Sequence, residues 1–65
     1  MEIWDVVGER GISNERLEEL VLQWLNGNPS PKDADNLGWL LKYSHPGVHK
    51  KVRENLRKIA PYHDE

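Results

Sequence analysis

The 65 residues include no cysteine, no phenylalanine and a single methionine, and no apolar run approaches the ~20 residues of a membrane span. Without cysteine, a disulfide framework and a thiolate metal site are both excluded. The exclusion matters because a chain this short hides only about 60% of the surface its unfolded form exposes, and one such core rarely supplies more than ~3 to 5 kcal/mol. Of the usual supplements, self-association and a histidine-based metal site are left. Catalytic motifs are missing too: no Ser/His/acid set, P-loop or Gly-rich phosphate cradle can be assembled, and Gly8 and Gly11 flank Glu9 and Arg10 in what reads as a loop. A pocket with convergent polar groups also needs more chain than this. The sequence therefore predicts a non-enzymatic protein with no cofactor and no small-molecule substrate. Acidic Glu2 and Asp5 stand where a secretory leader would be positive, and Gly8 and Glu9 interrupt the apolar run. The expectation is a cytoplasmic protein that does not enter a membrane.

What is present is helical. Ser13 before Asn14 reads as a cap, with Ile12 and Leu17 at the two staple positions. Leu17, Leu20, Val21, Trp24 and Leu25 then recur at helical spacing, which predicts a helix over 14–26 with Trp24 on its core stripe. Asn26-Gly27-Asn28-Pro29 ends it, Gly27 being the residue free to turn left-handed. Ser30-Pro31-Lys32-Asp33 starts a second helix over 31–43, with a cap, a proline at the first helical position and an acid three residues after the cap. Ala34, Leu37, Leu41 and flanking Leu40 share one side of it, while Trp39 and Tyr43 point the other way. A helix apolar on two sides suits a central place in the fold. Ser44-His45-Pro46-Gly47 is a corner, with Ser44 or His45 as cap, and Val48, Val52, Leu56 and Ile59 form a narrow stripe on a third helix over 46–60. Pro61 stops that helix and leaves a loose tail over 61–65. Residues 1–12, with Ile3, Trp4, Val6 and Val7, read as a short helical turn or an extended arm over the core. The fold class is all-α: a three-helix array or bundle of antiparallel neighbours in one domain.

Leu37, Leu40 and Leu41, a His-Pro-Gly-Val corner, and then Val52, Leu56, Ile59 and Ala60 resemble a HEAT-like helical-hairpin repeat over residues 37–60. In this chain Val52 stands where that repeat usually has alanine, and His49 where arginine is common. The resemblance implies a protein-binding scaffold and no chemistry. It also implies an apolar face that a cap such as the Trp4 arm, or a second copy of the chain, would cover.

The candidate contact residues are Trp39, Tyr43, Lys50, Arg53 and Arg57. Trp39 and Tyr43 lie one helical turn apart, away from the leucine side, and such residues bury much area at little entropic cost while keeping a polar tip. They either cover a second face inside the domain or anchor a partner protein or a second copy. The net charge of −2 is unevenly spread: residues 1–33 carry seven acids and three bases, whereas residues 34–65 carry four acids and six bases. Lys50, Arg53 and Arg57 cluster opposite the stripe of the last helix and would meet an acidic partner surface. The alternative is a nucleic-acid-binding regulator whose last helix enters a groove. An acidic chain with a pI of ≈ 5.9 and no Asn/Gln cluster for reading bases argues against it. His45 and His49 are spaced to share one helical side, as a metal would need, but two ligands do not close a site. They read instead as a corner cap and a surface residue. Asp33 and Asp35 read as acids favoured at a helix N-terminus.

Overall fold

A computed structural model describes residues 2–63 and contains four helices: α1 (Ile3–Val7), α2 (Asn14–Asn26), α3 (Pro31–Ser44) and α4 (Pro46–Ile59). No strand occurs among the described residues, and the chain is all-α. None of these helices is long and apolar enough to cross a membrane. The boundaries follow local chemistry. Ser13 Oγ accepts the Arg16 N–H and Ser30 Oγ accepts the Asp33 N–H, each at 3.2 Å, so α2 and α3 each satisfy one of the donors a helix start leaves open. Pro31 and Pro46 take first-turn positions, where a missing N–H costs nothing. At the end of α2 the left-handed residue is Asn28 (φ 57°), and Gly27 keeps φ −80°. Asparagine tolerates that region through its short polar side chain, which corrects the expectation placed on Gly27.

The order of the helices departs from the expected one. α4, not α3, occupies the middle: it packs against α2 on one side and α3 on the other, while α1 packs on α2. The Cα envelope of 30 × 22 × 15 Å is that of a layer little more than one helix thick, a helix with its side chains being about 10–12 Å across. α3 and α4 fold back on each other through the single residue His45. Because the chain reverses at both connections, α2 and α4 run in the same direction. Glu18 and Lys51, each in the first half of its helix, approach to 3.8 Å. α4 suits the middle place because His49 joins Val48, Val52 and Leu56 among its buried residues, widening its stripe to about 100° of arc, and Ala60, just past its end, is buried as well.

Fourteen apolar residues form one continuous core that runs through all four helices and includes Leu17, Val21, Leu37, Leu41, Val52 and Leu56 at 0% exposure. Leu40, expected beside the core, is instead exposed on the outer edge of α3, because only one side of that helix has a neighbour. Trp24 is half-buried and meets Trp4 edge-on, with ring centres 5.9 Å apart. α1 buries Ile3, Val6 and Val7. Residues 61–63, expected to hang loose, form a turn whose His63 is 2% exposed; residues 64–65 of that tail lie outside the described residues.

Candidate functional site

The outer edge of α3 and the adjoining flank of α4 carry the aromatic and basic residues together. Tyr43 stacks on Trp39 with ring centres 6.1 Å apart and planes at 22°. Lys42 Nζ stands 4.7 Å from the centre of the Trp39 ring, within reach of a cation–π attraction. Tyr43 is 79% exposed, the most open large hydrophobic side chain of the described residues. Trp39 is only half-open, because its inner edge meets the His63 ring at 5.4 Å and 66°. The two aromatics thus divide the alternatives the sequence left open: Trp39 is part wall and part surface, and Tyr43 is surface.

Beside them, Lys42, His49, Lys50 and Arg53 line a shallow hollow of ≈ 450 Å³. Three of these four side chains are permanent cations. Lys50 and Arg53 therefore join the aromatic pair, as the sequence pattern suggests, with Lys42 as a third base that the pattern did not single out. Arg57 does not join them. Its guanidinium lies 3.8 Å from Glu54, and it borders a separate hollow of ≈ 280 Å³ near Pro61.

Under this surface lies a buried polar cluster. His63 Nε2 is 2.8 Å from His49 Nε2, and His63 Nδ1 is 3.4 Å from Asp35 Oδ1. His49 is 7% exposed, so it is not the surface residue that the sequence suggested. Asp35 bonds this ring instead of merely favouring the start of α3. His45 and His49 do not converge. The corner histidine is not helical and makes no side-chain cap bond to α4. Its Nε2–H donates instead to the Val7 carbonyl at 2.8 Å, tying α1 to the α3–α4 corner. Among the described residues no three His, Cys, Asp or Glu side chains are grouped to hold a metal ion. Gly38 makes the cluster possible. A Cβ there would collide with His63 Cε1 and stand 2.8 Å from both ring nitrogens, so the imidazole lies flush on the α3 backbone. A glycine inside a helix costs about 1 kcal/mol relative to alanine, and that cost was the available sequence signal.

A further hollow of ≈ 680 Å³ opens between the C-terminal halves of α2 and α4. Leu22, Leu25 and Ile59 give it an aliphatic part, with Asn26, Asn28 and Asn55 around them. It brings together no acid–base pair. No protein-family model, curated protein or solved structure matches the chain.

Proposed function

We propose that the chain is a non-enzymatic protein-binding module whose contact face is the outer edge of α3 with the adjoining flank of α4. Tyr43 and Trp39 anchor the contact, and Lys42, Lys50 and Arg53 meet carboxylates of the partner. The observation that carries the reading is the exposed Tyr43 ring, stacked on Trp39 beside a hollow lined by three basic side chains. A rigid aromatic anchor beside a charged rim is how small interfaces concentrate their binding energy. The partner is an acidic protein surface. A second copy of the chain has one to offer, since residues 1–33 carry an excess of four negative charges. The resemblance of residues 37–60 to a HEAT-like hairpin points the same way. Reading of DNA by α4 is the weaker alternative, because a recognition helix must project into a groove about 12 Å wide and α4 is flanked by α2 and α3.

Sedimentation equilibrium of the purified chain across a wide concentration range tests self-association first. A dimer that Tyr43→Ala dissociates, with the far-ultraviolet circular dichroism unchanged, supports the reading. If the chain stays monomeric, amide shifts on titration with a poly-glutamate peptide decide. Perturbations at Tyr43, Lys50 and Arg53 support an acidic partner of a different kind, and their absence refutes the proposal.

A further inference from the structure

The cluster between α3 and α4 is sensitive to the number of protons it holds. For the Asp35 carboxylate to receive a hydrogen bond, His63 Nδ1 must carry a hydrogen, and two Nε2 atoms 2.8 Å apart share one hydrogen between a donor and an acceptor. That arrangement tolerates one proton beyond the neutral state. Whichever ring becomes the imidazolium, the other keeps a lone pair on its Nε2. A second proton places N–H groups on both facing atoms and abolishes the acceptor. It also sets two cations with ring centres 5.1 Å apart in a buried place. Asp35 faces the pair from α3, and Lys42 from α3 with Lys50 and Arg53 from α4 place positive charge around the hollow His49 lines. α2 lies on the opposite side of α4.

The His63 ring has no room to separate within its site. The α3 backbone at Gly38 lies directly against it on one side, and the edge of Trp39 meets it on another. Movement of the His63 ring away from His49 therefore carries the segment with it. That segment is a turn closed by the His63 N–H on the Ala60 carbonyl at 2.9 Å, and Pro61 and Tyr62 within it are exposed. We propose that Asp35, His63 and His49 form a proton-operated latch: the 61–63 turn stays docked with up to one added proton and is released by the second. The released form binds more protons than the docked one, so docking is present at neutral pH and is lost on acidification. Release uncovers Gly38 and the inner edge of Trp39.

An NMR titration of the full chain from about pH 8 to about pH 4, across the range in which histidines of folded proteins generally titrate, tests the latch. On acidification the amides of Gly38, Tyr62 and His63 and the Trp39 indole should leave their docked positions together, while the amides of Leu17 and Val21 hold. In His49→Gln the carboxamide still donates to His63 Nε2 but takes up no proton, so the midpoint should fall by ~1 pH unit or more. In Asp35→Asn the docked form loses the charge that offsets its imidazolium, so the midpoint should rise. Movement of both midpoints in the same direction would overturn the proposal, as would a turn that stays docked until all the helices melt. If His49→Gln fails to dock at any pH, the ring nitrogens of the unaltered chain decide. Two doubly protonated rings beneath docked amides refute the latch, and a second protonation coincident with release supports it.

Discussion

The two sides of α4 are filled by different chemistry. Toward α2 the core is aliphatic, with Leu17, Leu20, Val21 and Leu25 supplied by that helix. Toward α3, Ala34, Leu37 and Leu41 share the space with two imidazoles and a carboxylate. Aliphatic burial is non-directional and scales with area, at roughly 25 cal/mol per Å², so the α2 side gives cohesion and tolerates small changes of angle or pH. The α3 side is favourable only while each buried donor faces an acceptor. It holds one arrangement of backbone, ring and turn and rejects near misses. In a protein this small, the difference teaches that cohesion and selectivity of shape are separated onto opposite flanks of one helix.

The largest test of this contrast is Leu17→Ala on the aliphatic side. Leu17 is 0% exposed, and such truncations cost about 2–5 kcal/mol, comparable to everything a core of this size supplies. Thermal melts followed by circular dichroism should show a chain largely unfolded at room temperature; a melt shifted by only a few degrees would mean that the α2 side is not the source of cohesion. Gly38→Ala probes the other side with a smaller effect whose sign depends on context. In the intact chain the new methyl collides with the His63 ring and should destabilise by about 1–3 kcal/mol, as overpacking does. In a His63→Ala background the obstacle is gone, and the same change should stabilise by up to ~1 kcal/mol through helix propensity. Denaturant melts of the four-member cycle read the coupling; equal effects in both backgrounds would remove the contact from the account. The smallest test concerns a feature the two flanks share. Ser13→Ala and Ser30→Ala each remove one cap and should each cost about 1 kcal/mol. A marked inequality between their melts would show that the flanks differ in more than what lies beside α4.

The starts and stops of α2, α3 and α4 were legible because capping and proline chemistry act within a few residues: Ser13, Ser30, Pro31 and Pro46 act locally, whatever the helices pack against. Periodicity was informative about each helix alone and misleading about their order. It left the aromatic pair on α3 open between a face inside the domain and a contact surface, and the neighbours divide the pair: Trp39 serves as a wall for His63 and Tyr43 faces outward. Leu40 erred for the same reason, since a wheel gives an angle and not a neighbour. The polar cluster joins residues 14 and 28 positions apart, a separation at which no local pattern operates. Among the candidate contact residues, Lys50 and Arg53 kept company with the aromatics, and Arg57 turned to Glu54. Lys42 escaped notice because its role comes from lying over Trp39, a tertiary fact.

The bond from His45 to Val7 has a bearing on how the chain assembles. A five-residue helix such as α1 is too short to persist in water by itself, so its helicity depends on docking. Part of that docking is a bond to a residue 38 positions away, at a corner that takes shape only when α3 turns into α4. Contacts of such span are paid in loop-closure entropy before they give anything back. Ile3–Val7 should therefore be the last segment to become ordered and the first to fray, making Trp4 a built-in optical witness to completion of the fold.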